Sequence, residues 1–289
     1  MKKLISVIII VFALSALTLK AQSAPSLLMN WSPESIATGS SQTDAAEFAM
    51  TDRKSINDAI YGTWAPESAN CSIIGASASF IFGERFAVRV QGMNIKDNIA
   101  SKSFNQLGAP TGEFFPEDIF FAAGLAYKFS GAFSVGVDIK SLMSTIGKEL
   151  SGNCFAADIS AAYSNNGVSA GLSLRNLGSK LSYGGGKAYD LPMLVRANGA
   201  YSVAGFTASA EVNYLFSGAL MAGVGAEYSI KDIVFLRAGY HYGNEKKAVP
   251  SYASCGLGLE FYGIRLNAAY LLGSKTLGGT MLFGLGYEF

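Results

Sequence analysis

The chain carries one histidine, His241, in 289 residues. Ser-His-acid chemistry would need that imidazole beside a serine and a carboxylate. Serines and aspartates are abundant, so composition leaves a triad open, for instance one acting on lipid. The plainer reading is a polar rim residue, because His241 falls near the end of an alternating segment, on its polar face. Cys71, Cys154 and Cys255 are an odd set with no zinc-type spacing to histidine, so neither a metal nor a cofactor is expected. Cys71 and Cys154 both open strands at one rim, which leaves a bridge open beside their reading as small apolar residues. Gly184-Gly185-Gly186 lacks the strand-glycine-helix setting of a phosphate loop and reads as a flexible external loop. Phe114 and Phe115, in Glu113-Phe114-Phe115-Pro116, form an aromatic cluster in the longest connection. They are placed either to bind a partner or to fold into the mouth of the protein. Nothing in this inventory points to an enzyme.

The informative chemistry is in the charges. Arg89, Asp138, Lys140, Asp158, Arg175, Arg196, Glu211, Glu227, Arg237, Glu260, Arg265 and Glu288 all fall on one parity of alternating segments. The other parity is apolar, as in Phe133, Val135, Val137, Ile139 and in Leu220, Ala222, Val224, Ala226, Tyr228. A strand's side chains alternate between faces with period 2, so each segment has a charged face and an apolar face. The two signs nearly balance, which predicts a salt-bridge network rather than a field that attracts one kind of ligand. A charge facing lipid costs roughly 2–4 kcal/mol at the bilayer midplane. None of the twelve falls on the apolar parity.

Thirteen such segments follow Cys71, at roughly 72–82, 85–93, 118–129, 132–143, 154–164, 168–176, 193–202, 206–216, 219–228, 233–242, 251–261, 264–272 and 280–289. Their lengths suit membrane-crossing strands. Tight turns at 83–84, 130–131, 165–167, 203–205, 229–232 and 262–263 alternate with mostly longer connections at 94–117, 144–153, 177–192, 243–250 and 273–279. Short periplasmic turns and longer external loops mark outer-membrane barrels, whose strand number is even. Parity therefore predicts one more, weaker strand near Asp58 to Trp64, for 14 in all. Aromatics read as two girdles. Tyr127, Tyr163, Tyr201, Phe206, Tyr228, Phe261 and Tyr287 lie near the inner rim; Tyr214, Phe216, Tyr240, Tyr242, Tyr252 and Tyr270 lie near the outer rim.

Composition agrees. Half of the residues are hydrophobic and only 15% are charged, against about 25% in ordinary soluble domains. No apolar run after Ala21 reaches the ~20 residues of a spanning helix. The net charge of +1 implies no nucleic-acid partner. Lys2-Lys3 and the apolar stretch from Leu4 to Leu19 read as a signal peptide over 1–21. Residues 22–57 read as a plug or periplasmic segment, with Asp44 to Met50 as a short helix, and residues 58–289 as the barrel. The expectation is an all-β transmembrane antiparallel barrel in the outer membrane, surrounded by lipid. Its last strand ends at Tyr287-Glu288-Phe289, the kind of aromatic tail that barrel assembly machinery reads.

One block carries a family resemblance: Leu172-Ser-Leu-Arg-Asn-Leu-Gly178, then Leu181-Ser-Tyr183 and Asp190-Leu-Pro192. Ala156-Ala-Asp158, Phe133 to Val137 and Lys140 to Ser144 belong with it, as does Trp64-Ala-Pro66. This pattern resembles the PorV/PorQ family of Bacteroidetes outer-membrane proteins over roughly residues 55–289. The resemblance implies a 14-stranded barrel similar to the fatty-acid transporter FadL, with an N-terminal hatch. It also implies a role in type IX protein secretion and cell-surface attachment. Partners would then be secretion components or the C-terminal domains of cargo proteins. The alternative is a FadL-like channel for hydrophobic small molecules.

Overall fold

The computed structural model describes residues 27, 32–41, 43–51, 55–64, 71–104, 110–147, 150–184, 188–243, 249–274 and 277–288. The expected signal peptide over 1–21 and Phe289 lie outside them.

The strands are β1 (Ser55–Trp64), β2 (Cys71–Phe82), β3 (Phe86–Asp97), β4 (Ser101–Phe104), β5 (Pro110–Phe114), β6 (Glu117–Ser130), β7 (Phe133–Gly147), β8 (Leu150–Asn165) and β9 (Val168–Gly178). They continue as β10 (Leu181–Ser182), β11 (Ala188–Tyr189), β12 (Leu194–Val203), β13 (Phe206–Leu215), β14 (Ala219–Ile230), β15 (Val234–Tyr242), β16 (Tyr252–Phe261), β17 (Ile264–Leu272) and β18 (Met281–Glu288). Fourteen of them close into one antiparallel barrel, and β1 completes it by pairing with both β2 and β18. The weak strand demanded by parity is therefore present, and it starts at Ser55. β4–β5 and β10–β11 are two small hairpins outside the barrel wall.

The tight turns gather at one rim. Glu84, Asn166, Ala204 and Tyr262 sit there at φ between 48 and 62°, the left-handed geometry of two-residue hairpin turns. At the other rim the connections depart from expectation. The stretch 144–153 is not a loop: β7 and β8 run on and pair there, Ser144 opposite Gly152 and Thr145 opposite Ser151. β3 likewise extends to Asp97, and much of the remaining 94–117 connection folds into β4–β5. Small and polar residues read as turns because local composition cannot see the partner strand that completes their hydrogen bonds.

The outside of the barrel is apolar. Phe121, Leu125 and Phe129 on β6, Phe133, Val135, Val137 and Ile139 on β7, and Phe283, Leu285 and Tyr287 on β18 all point outward and are exposed. A surface apolar around its whole circumference has no stable arrangement in water and fits a bilayer. Among the described residues no helix is long and apolar enough to cross a membrane. Two aromatics depart from the girdle pattern. Phe216 is buried in the β13–β14 turn, and Tyr252 points inward, 4% exposed.

A plug fills the middle of the barrel. Pro33–Ala37 and Ala45–Phe48 are short helices. The second starts one residue after Asp44, which caps it reciprocally with Glu47, so the expected helix is present but shorter. The first was not anticipated, although Ser32 caps it, Pro33 takes its first position and Glu34 follows, a recognisable start signal.

Candidate functional site

Two layers stack along the barrel axis. The layer nearest the loop rim is apolar. Ile73, Met93, Phe120, Leu142, Cys154, Leu271 and Leu282 point inward, pack with Ile36 and Ala37 of the plug, and are roofed by Leu181, Leu191 and Leu277 from the connections. Cys71 and Cys154 are free and buried, so no bridge joins them.

The second layer holds the charges. Arg89 meets Asp138 at 2.7 Å, Lys140 meets Asp158 at 2.5 Å, Arg196 meets Glu211 at 2.6 Å and Arg237 meets Glu227 at 2.5 Å. The plug supplies partners that the strand pattern could not reveal. Asp44 takes Arg175 at 2.5 Å and Arg196 at 3.1 Å; Glu47 takes Arg196 at 2.9 Å; Glu34 takes Arg265 at 2.6 Å. Arg89 also donates to the Thr43 carbonyl, and the Ser41 N–H donates to Glu211. Glu260 and Glu288 lie toward the turn rim and are half-buried.

Burial alone would raise the Asp44 carboxyl pKa. The guanidiniums of Arg175, Arg196 and Arg89 overcome this and bring it down to about 2. A carboxylate held below its unfolded pKa of 3.8 adds stability at all pH above 3.8 and loses it as pH falls through about 2. Protection of the Ala45–Ala49 amides, corrected for intrinsic exchange, should therefore be flat from neutral pH to about 4 and fall below it. Loss of protection already at pH 6 would assign the anchor to another group.

The wall is carved to receive the plug. A Cβ on Gly225 would stand 2.3 Å from the Thr38 carbonyl oxygen, and one on Gly239 would stand 2.3 Å from the Thr38 carbonyl carbon. On the opposite wall a Cβ on Gly136 would stand 2.7 Å from the Ala46 nitrogen. These contacts are to backbone, which cannot rotate away. His241 belongs to this seat. Its ring stacks on Tyr252 with centroids 5.0 Å apart, and its Nδ1 lies 3.4 Å from the Gly39 carbonyl. That partner is a carbonyl of the plug, not the carboxylate a triad needs.

The residues of the resemblance block meet in one knot. Asn176 sits at φ 61° in a bulge of β9. Its N–H donates to Asp158 at 2.8 Å, its Oδ1 accepts from Lys140 at 3.1 Å, and its Nδ2 donates to the Pro192 carbonyl at 3.0 Å. Nearby, Tyr183 donates to Ser144 at 2.9 Å. Replacing Asn176 by alanine removes these two side-chain bonds, and a longer one from Nδ2 to the Leu27 carbonyl at 3.5 Å, and leaves a left-handed alanine. The expected cost is on the order of 2 kcal/mol, read as a lower midpoint for loss of the compact barrel band on heated gels. An unchanged midpoint would mean that the bulge is not held by this side chain.

The third feature is on the lipid side. A recess of about 670 Å³ crosses β2, β3, β6 and β7 at mid-height. Its floor is small: Ala76, Ala78, Gly92, Ala123 and Ser141, flanked by Val90, Phe121, Ile139 and Phe155. Ser77, Gln91, Ala122 and Lys140, of the inward parity, border it too. The wall is thus thin beside the lower edge of the apolar layer. The β3–β6 ladder is unbroken there, from Lys96 opposite Glu117 to Phe86 opposite Tyr127, so the barrel wall is closed in this state. At the loop rim, Phe115 is exposed with Lys96 5.5 Å from its ring centre, and Phe114 is half-buried.

The chain matches no protein-family model and no curated protein. Solved structures do match. The toluene transporter TbuX of Ralstonia pickettii aligns with TM-score 0.64 at 11% identity, over 91% of this chain and 99% of that one. The monoaromatic hydrocarbon channel CymD aligns with TM-score 0.61 at 12% identity, over 90% and 97%. A Pseudomonas aeruginosa FadL homologue aligns with TM-score 0.51 at 12% identity, over 92% and 93%. At such identities the likeness is one of fold: this chain folds as a FadL-like barrel, closed by 14 strands and filled by its own N-terminal segment.

Proposed function

We propose that the protein is an outer-membrane channel of the FadL type that admits a small hydrophobic molecule and releases it sideways through the wall. The turn rim then faces the periplasm and the loop rim faces outside. The observation that carries this reading is the pairing of an apolar outer lumen with the thin, small-residue wall next to it. A hydrophobic molecule is solvated in the first and is separated from lipid by little more than backbone at the second. The charged layer and the seated plug block a straight path. The neighbours' hydrocarbon substrates favour this reading over secretion. Because the ladder is continuous here, the route includes an opening step at β3–β6.

Toluene uptake into vesicles tests it. Ala123→Trp should fill the recess and reduce uptake to that of protein-free vesicles, with the barrel still folded. Uptake that never exceeds the protein-free level for the unaltered protein would remove the transport reading.

Protein anchoring in type IX secretion is the second reading. It is supported by the resemblance block and by Phe115, exposed at the loop rim. Affinity capture from outer membranes should then recover secretion components or cargo C-terminal domains, and Phe115→Ser should lose them. Capture of the barrel alone would leave the channel.

A further inference from the structure

Between the plug and the wall, bordered by Glu47 and Arg196 of the charged layer, lies a chamber of about 440 Å³. Thr207 of its lining adjoins the tight turn at 204–205, so the chamber is reached from the turn rim. It is separate from the apolar layer and from the lipid-side recess. Six serine and threonine hydroxyls from the plug segment and four from the wall line it, ten in all.

Its charged lining is mostly acidic, Glu34, Glu47 and Glu227 against Arg196, which pairs with Glu47. The side chains of Glu34 and Glu227 are 32% and 28% exposed and border the chamber. Their partners Arg265 and Arg237 are each 5% exposed and do not line it. These two ion pairs therefore present acceptor oxygens inward while the net charge stays near zero. Two further groups have unused capacity. Asn198 donates through Nδ2 to Glu47, but its buried Oδ1 has no hydrogen-bond partner among the described residues. The Ser209 hydroxyl makes no hydrogen bond among them either. A site rich in hydroxyls and acceptors, without net charge, suits a ligand with many neutral O–H donors. The volume lies within the usual range of small-molecule sites, about 300–1,000 Å³.

We propose that this chamber is a periplasm-facing binding site for a neutral saccharide of one or two rings. The ligand would touch plug and wall at once, through Thr38 on one side and Ser209 and Glu227 on the other. The site goes beyond the hydrocarbon reading and does not depend on it.

Saturation-transfer NMR decides the matter, with the full protein in a zwitterionic detergent that has no sugar headgroup. Glucose, N-acetylglucosamine and cellobiose are the probes. At least one should receive saturation. Ser209→Ala should weaken binding about fivefold, the loss of one neutral hydrogen bond. Ser209→Phe should abolish the signal by filling the chamber, and Thr207→Phe does the same at the mouth should the first variant not fold. Ala123→Trp, which blocks only the lipid-side recess, should bind sugar normally. Absence of transfer to all three probes would mean that the chamber holds water only and would overturn the proposal. So would a signal that survives the phenylalanine variants. Sugar binding without toluene uptake would leave this site standing and remove the channel reading alone.

Discussion

In planar bilayers, Gly239→Val should turn a closed barrel into a conducting one. The smallest added atom, the Cβ, would stand 2.3 Å from the Thr38 carbonyl carbon and 2.5 Å from the Gly39 nitrogen. Both are backbone atoms of the turn that follows the first plug helix, so the turn must move rather than a side chain. Ile36 and Ala37 leave the apolar layer with it, and Glu34 is drawn away from Arg265. Gly225→Val should act alike, since its Cβ would stand 2.3 Å from the Thr38 carbonyl oxygen. Gly199→Val is the control: its nearest neighbour would be the Ser169 carbonyl oxygen at 3.5 Å, an ordinary contact. Step conductances in the first two variants and none in the third are the expected pattern. Silence in all three would place the seal in the loop-rim roof of Leu181, Leu191 and Leu277 instead of in the plug.

The second large effect is expected at Arg196. This side chain, 4% exposed, holds Glu211, Glu47 and Asp44 at 2.6, 2.9 and 3.1 Å. Arg196→Leu leaves three carboxylates close together, two of them almost fully buried, with the Arg175–Asp44 and Ser41–Glu211 contacts as partial compensation. Removing one partner from a buried ionic cluster costs roughly 3–5 kcal/mol. The heated-gel midpoint should fall by far more than in Asn176→Ala. Adding Glu211→Gln to Arg196→Leu should recover part of the loss, because it removes one of the stranded charges. A double variant no better than the single would show that packing, not charge, dominates at this site.

Much of this architecture was legible in the chain. Strand positions, tight turns and the outward face follow from a period of 2, which is a local property. The inner surface was read only where it is charged. Ile73, Met93, Phe120, Leu142 and Leu282 share the parity of Arg89 and Asp138, yet apolar residues on a nominally polar face carry no local mark. They are buried because the plug and the loop connections cover that end, a tertiary fact. Tyr252 was misplaced for the same reason: an aromatic near a strand end looks like a girdle residue until its parity is set beside His241. The plug partners Glu34, Asp44 and Glu47 had no strand pattern to join. The bulge at Asn176 shifts parity by one residue, and only the pairing partner Asp158 reveals it.

The plug's last described residue, Thr51, and the first residue of β1, Ser55, are separated by three residues. Even fully extended, that link reaches roughly 14 Å. A dislodged plug therefore stays leashed to the wall at the seam where β1 meets β18. Its local concentration at its own seat remains on the order of millimolar or higher, whatever the amount of protein in the membrane. Reseating is then intramolecular and fast, and a freely diffusing competitor would have to outbid it. A pore opened by plug movement would shut itself, and only a change in the seat, such as the valines above, would hold it open.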